Sequence, residues 1–211
     1  MKTTAAFIAF CLCVLLAAGC SPAGDTNPPE LRSETATITL TPVNLFEGDK
    51  AKFRPFLGNM AGAFKMRYDG QKPNVRLAVE IWENGKKTNT GWSMEDLFFS
   101  ENGNAENREI EVIVAMDTTY GDEGREAIYT VKVGTVHDNG TSMTSNSLQL
   151  EPMSFMQLSY SEPQTFAAEN AVHVFGFQGS RSGIIRPVSL TPEGLSQIEW
   201  GFIVTLYFDE K

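Results

Sequence analysis

The stretch Val75-Arg-Leu-Ala-Val-Glu-Ile81 decides the fold class of this chain. Its apolar side chains recur at every second position, which predicts a strand with one buried face. Asn84-Gly85 follows almost at once and is the strongest short hairpin signal, because both residues tolerate a positive φ. We therefore expect residues 86–92 to return as the partner strand.

The same two-residue period recurs along the rest of the chain. It is clearest in residues 35–40, 110–116 and 129–133, and a second hairpin turn is predicted at Asn139-Gly140. Shorter apolar runs, also predicted as strands, are residues 148–150, 155–160, 171–177 and 184–188. The last run, residues 197–209, is apolar on both faces, so we expect a central strand that is covered on both sides.

Helical signals are few and local. Residues 93–96 (Ser-Met-Glu-Asp) resemble a capping box, and Thr191-Pro192 is typical of an N-cap followed by proline at the first helical position. The pattern predicts an all-β fold, an antiparallel β-sandwich of about nine to eleven strands with one or two short helical turns. A β-barrel is the alternative.

The N-terminal residues carry a different kind of signal. Residues 5–18 are apolar and uncharged, but this run is shorter than the roughly 20 residues that a membrane-spanning helix needs. Leu16-Ala-Ala-Gly-Cys20 resembles the lipobox of bacterial lipoproteins. The resemblance implies that residues 1–19 are a signal peptide and that Cys20 becomes the first mature residue. It also implies a lipid attachment, including acyl chains such as palmitate, on the Cys20 thiol.

The predicted domain organisation follows from the composition after Cys20. Residues 20–33 hold three prolines and few apolar groups, so they predict a tether behind the lipidated cysteine. Residues 34–211 predict a single β domain. The motif Trp82-Glu-Asn-Gly-Lys86 is similar to segments of small Gram-positive lipoproteins, a resemblance that implies no particular activity.

Charge and cysteine content restrict the partners. The chain has a net charge of −9, and loss of residues 1–19 with Lys2 leaves about −10. We therefore expect no nucleic-acid partner and a domain that stands away from an anionic membrane. Cys11 and Cys13 lie in the predicted signal peptide, so the mature chain keeps only Cys20 and neither an intrachain disulfide nor a zinc–thiolate site is expected.

Candidate catalytic residues are sparse. His137 and His173 show no metal-ligand spacing, and a structural role is expected for both. Gly179-Ser-Arg-Ser-Gly183 departs from the Gly-x-Ser-x-Gly pattern of a nucleophilic serine and predicts a loop. Catalytic residues, bound metals and cofactors are therefore not predicted.

Two further features have a functional interpretation beside a structural one. Residues 117–126 carry carboxylates and two glycines that could wrap Ca²⁺, although a solvated hairpin loop is the simpler interpretation. Trp82 and Trp92 fall on paired strands and could stack on a sugar, although packing is commoner. Trp200 lies in the most apolar strand and is predicted to be core.

These observations lead to two hypotheses. The first is an extracytoplasmic lipoprotein, anchored to the membrane through Cys20, that binds a protein, glycan or small ligand without catalysis. Its place would be the outer face of the cell membrane or, in a diderm host, also the outer membrane. The alternative is a glycan hydrolase at the cell surface, which needs two facing carboxylates about 5–9.5 Å apart.

Overall fold

A computed structural model describes residues 36–70, 75–95, 97–98, 109–122, 124–138 and 140–208. Cys20, the signal peptide and the tether lie outside these residues and stay predictions. The described part holds eleven strands: β1 Thr37–Val43, β2 Ala61–Asp69, β3 Val75–Glu83, β4 Lys86–Met94, β5 Glu109–Tyr120, β6 Ala127–His137, β7 Gly140–Leu150, β8 Ser154–Ser159, β9 Gln164–Ala167, β10 Val172–Ser180 and β11 Trp200–Phe208.

The strands form two antiparallel sheets. Sheet A has the order β7-β6-β5-β2-β1-β9, and sheet B has the order β4-β3-β11-β10-β8. Apolar side chains from the inner faces of both sheets make one core, in which Trp200, Phe175, Phe177 and Tyr129 are almost fully buried. The β-sandwich prediction is confirmed, while the closed barrel is wrong because the described strands separate into two sheets.

The hairpin that the sequence predicts is present as β3 and β4. Asn84 and Gly85 have φ values of 51° and 73°, the left-handed conformation that a two-residue hairpin turn needs. Strand β11 is also where the sequence predicts it, in the middle of sheet B. Its outer face is covered by a second apolar cluster that includes Leu190, Leu195 and Ile198.

Two local predictions are wrong. Residues 93–94 continue β4, where Ser93 pairs with Ala78, so the tertiary ladder overrides the capping signal. Residues 184–188 form no strand but cross the outer side of sheet B as irregular chain. Pro187 has no N–H to donate to a ladder, which is one reason that this run stays outside the sheet.

The helical segments lie in connections. Thr191 caps helix α2 (Pro192–Leu195) by accepting a hydrogen bond from Gly194 N, which confirms the predicted N-cap. A second helical segment was not predicted: a 3₁₀ turn, Gly48–Phe53, followed by α1, Arg54–Leu57. No helix in the described part of the chain has the length and apolar character needed to span a bilayer.

Candidate functional site

The acidic segment that the sequence offers as a calcium-binding candidate, residues 117–126, lies in the β5–β6 hairpin. Asp117 lies within β5 and accepts a hydrogen bond from Lys132, and Glu126 accepts one from Gln149. Glu123 lies outside the described residues. Among those that are described, no three His, Cys, Asp or Glu side chains come together as metal ligands. The geometry therefore favours the hairpin interpretation over a calcium site.

The serine segment at the end of β10 is hydrogen-bonded to the carboxylate of Glu199. The Ser180 hydroxyl donates to Glu199 Oε2 at 2.9 Å and lies 2.9 Å from the Ser182 hydroxyl. Hydrogen bonds from Ser180 and from the Arg181 backbone N–H lower the pKa of Glu199. Neither hydroxyl has a histidine among its partners in the described residues, and the lowered pKa of Glu199 makes its carboxylate a weak base toward Ser180.

The three tryptophans do not form a shared sugar platform. Trp92 pairs with Val79 across the hairpin and packs against the core between the sheets. Trp82 packs on the opposite side of sheet B, against the outer apolar cluster. The stacking hypothesis for this pair is therefore wrong. Trp200 is core, as predicted.

A polar cluster on the outer face of sheet B was missed by the sequence analysis. Its centre is Glu80, which is only 1% exposed. Glu80 Oε1 accepts hydrogen bonds from Lys87 Nζ, at 2.6 Å, and from the Tyr207 hydroxyl. Glu80 Oε2 accepts from Trp82 Nε1 at 2.9 Å. Both carboxylate oxygens are therefore occupied by donors from strands β3, β4 and β11.

The hydrogen bonds decide the protonation state of this cluster. Burial raises the pKa of Glu80, but the hydrogen bonds from Lys87, Tyr207 and Trp82 outweigh it and hold the pKa below its ordinary value. Burial likewise lowers the pKa of Lys87, and the hydrogen bonds with Glu80 and Tyr207 reverse the effect and raise it. The pair is therefore a salt bridge at neutral pH.

His173 sits beside this cluster and not in a catalytic arrangement. Its Nδ1 lies 2.9 Å from Thr205 Oγ1, and its ring meets Trp82 edge-on with centroids 5.5 Å apart. Burial is the largest effect on His173 and lowers its pKa. The charge of Glu80 raises the pKa and that of Lys87 lowers it, and the net result is a pKa below the ordinary value. The structural role that the sequence predicts for His173 agrees with these contacts. His137 ends β6 and pairs with Gly140 across the turn.

The Glu80 cluster holds strands together more than it offers a reactive group. Both carboxylate oxygens of Glu80 accept hydrogen bonds, and the Lys87 ammonium donates to Glu80 and to the Tyr207 hydroxyl. Arg76 and Lys87 both lie over the ring of Tyr207, at 4.3 Å and 5.2 Å from its centroid. This arrangement neutralises a buried charge on a sheet face and ties β3, β4 and β11 to each other.

A cleft of about 240 Å³ opens between the sheets where β8 faces β1 and β2. Its apolar walls include Leu40, Val43, Phe46, Phe64, Val174 and Phe175, and its polar groups include Asn44, Gln157 and Ser159. At Gly62 an added Cβ would lie 2.5 Å from the Phe175 ring, so a glycine is needed where the sheets approach. None of the described residues that line the cleft is Asp, Glu or His.

No protein-family model matches the chain, and no curated protein sequence matches it.

Proposed function

We propose that this chain is a lipid-anchored extracytoplasmic binding module whose cleft between the sheets receives a small ligand that has both apolar and polar groups. The observation that carries the proposal is the make-up of the cleft, in which apolar side chains and polar groups such as Asn44, Gln157 and Ser159 contribute about equally to the accessible lining. Ligand sites commonly combine apolar walls with a small number of polar groups that orient the ligand. At about 240 Å³, the cleft is smaller than the roughly 300–1,000 Å³ of drug-sized pockets. Its volume therefore suits a small molecule or one projecting group of a larger partner.

The hydrogen bonds made by the described carboxylates favour ligand binding over glycan hydrolysis. Glu80 is bound by three donors, Asp117 by Lys132, and Glu199 by Ser180 and Arg181. A glycosidase needs a pair of carboxylates that face a shared cleft with room for the sugar. The described lining of the cleft offers no such pair.

The anchor is supported by the sequence Leu16-Ala-Ala-Gly-Cys20. Two or three acyl chains hold a protein on a membrane stably, whereas a single chain is marginal. Cells grown with labelled palmitate should label the protein and should not label the variant Cys20→Ser. Label that persists on Cys20→Ser would contradict the anchor, and Ser21→Ala is the matched control that should keep the label.

The cleft is tested with an apolar fluorescent probe, anilinonaphthalene sulfonate. Ser159 is exposed on β8 at the cleft, and Ser154 is exposed at the other end of the same strand. Ser159→Phe should fill the cleft and weaken probe binding about tenfold. Ser154→Phe adds the same ring away from the cleft and should not. Equal probe binding by the two variants would overturn the cleft as the binding site.

A further inference from the structure

Residues 48–57 leave sheet A between β1 and β2 and carry two aromatic rings into solvent. Phe53 is 48% exposed and Phe56 is 81% exposed. The segment is nevertheless fixed, because Leu57 packs with Leu45 on the outer face of sheet A beside Ala63. The exposed rings are therefore presented on a supported surface, and nothing in the described chain covers them.

The segment that carries these rings is rich in cations. The segment contains Lys50, Lys52 and Arg54 against a single acid, Asp49, in a chain whose net charge is −9. Lys50 lies 4.0 Å from Glu111. No carboxylate of a described residue lies within 4.0 Å of Lys52 or Arg54.

The two unpaired cations rest instead on aromatic rings. Lys52 Nζ is 5.6 Å from the centroid of Phe53, and the Arg54 guanidinium is 4.8 Å from the centroid of Phe46. Each thus keeps its charge available to an anion beside an apolar ring. Exposed phenylalanine next to Lys or Arg is the combination that interfacial membrane segments use.

We propose that residues 48–57 dock onto an anionic lipid bilayer, with Phe53 and Phe56 in the interface and Lys52 and Arg54 at the lipid phosphates. The proposal rests on the lipid anchor proposed above, which would keep a bilayer within reach. The chain from Cys20 to Thr37 spans at most about 60 Å when extended. Strand β1 begins at Thr37 and leads to the loop before residues 48–57, and it is only about 23 Å long.

The negative net charge of the chain does not prevent this contact. Charges are screened over a Debye length of about 8 Å at physiological ionic strength, so the membrane responds to the charges nearest to it. Those in the segment are mostly positive. The expectation that the whole domain stands off an anionic membrane therefore does not extend to this surface.

The test uses residues 20–211 with Cys20→Ser, so that no acyl chain contributes, and the described domain carries its own core. Binding is measured by co-sedimentation at millimolar lipid with vesicles of phosphatidylcholine, with and without phosphatidylglycerol. The unaltered segment should bind the anionic vesicles, and added salt should weaken the binding. Lys52→Gln with Arg54→Gln should weaken it by about fivefold for each cation removed.

The aromatic rings are tested with a matched control. Phe56→Ser should reduce binding to anionic vesicles, while Ile184→Ser, which removes an apolar side chain that is 75% exposed elsewhere, should not. Both variants should melt at the temperature of the parent chain. Absence of binding by the parent, or an equal loss in Phe56→Ser and Ile184→Ser, would overturn the docking surface. Failure of palmitate to label Cys20 would instead count against the anchor alone.

Discussion

Glu80 and Lys87 meet across the β3–β4 hairpin, with Lys87 Nζ 2.6 Å from Glu80 Oε1, although only 1% of Glu80 is exposed. A buried carboxylate is tolerated when opposite charge and hydrogen bonds compensate for its lost hydration. Tyr207 and Trp82 supply the remaining donors. These contacts therefore compensate the buried charge of Glu80 on the outer face of sheet B.

Removal of the Glu80 charge should destabilise the domain. Glu80→Gln leaves Lys87 without its partner and places an amide N–H₂ among donors, so we expect a loss of about 2–4 kcal/mol in the free energy of unfolding. The measurement is the urea midpoint at neutral pH. Glu83→Gln, at an exposed position of the same strand, is the control. A loss below about 0.5 kcal/mol, which is usual for surface positions, would contradict the role of Glu80.

Stability should fall between neutral and mildly acidic pH because of His173. Burial holds its folded pKa below the ordinary 6.5, so below pH 6.5 the unfolded chain binds a proton that the folded chain does not. The free energy of unfolding therefore decreases as the pH falls from 6.5 toward the folded pKa. His173→Gln should flatten the dependence in this window, as measured by urea unfolding at several pH values. An unchanged slope in the variant would contradict the prediction.

Glu80 should affect the free energy of unfolding in a separate pH range, more acidic than that of His173. Its folded pKa is below the ordinary 4.5, so the stability that it contributes is present above pH 4.5 and is lost as the pH falls through the folded pKa. Acid unfolding of Glu80→Gln should therefore lack the part of the transition below pH 4.5 that the parent shows. Parallel acid unfolding curves for the two chains would show that Glu80 does not contribute.

Gly85 should tolerate substitution less well than another glycine with the same backbone conformation. An added Cβ at Gly85 would lie 2.0 Å from the Ser196 carbonyl oxygen, whereas Gly124 has no atom within 4 Å. Both have positive φ, 73° and 64°. Gly85→Ala should therefore cost about 2 kcal/mol or more beyond the roughly 1 kcal/mol of backbone strain expected for Gly124→Ala. Thermal unfolding of the two variants gives the comparison, and equal costs would contradict it.

The cap of α2 should be measurable despite the short helix. Thr191 Oγ1 accepts from Gly194 N at 3.2 Å, and α2 holds Leu195, which is fully buried in the outer apolar cluster. Thr191→Ala should cost about 1 kcal/mol, and Thr191→Ser, which keeps the hydroxyl, should recover most of it. Equal melting temperatures for Thr191→Ala and Thr191→Ser would show that the cap does not stabilise the domain.

The sequence predicted those elements whose signal is local. Hairpin β3–β4 follows from strict alternation and Asn84-Gly85, and β11 follows from its two apolar faces. Strand β2 was not predicted, although residues 64–69 (Phe-Lys-Met-Arg-Tyr-Asp) alternate between apolar and charged side chains, which is a local strand signal. Its position between β1 and β5 comes from partners far away in the sequence.

The Glu80 cluster could not be predicted for the same reason. In the sequence Glu80 is one polar residue of an alternating strand, a pattern typical of a solvated face. Its burial depends on Tyr207, which comes from β11, more than one hundred positions along the chain. An unbroken hairpin register from Asn84-Gly85 would, by contrast, place Trp92 opposite the inner residue Leu77. Two register shifts place it opposite Val79 in the structure, which is also an inner residue, so the register alone indicates that Trp92 and Trp82 lie on opposite faces.

The position of β1 determines how the domain would carry mechanical load. A pull on the proposed N-terminal tether would enter the described strands at Thr37, the first residue of β1, which is paired with β2 along its whole length and with β9 over its first half. A terminal strand held on both sides resists fraying, which is otherwise common at chain ends. Traction along β1 would load both ladders in shear together, so we expect this strand to resist being pulled out of sheet A.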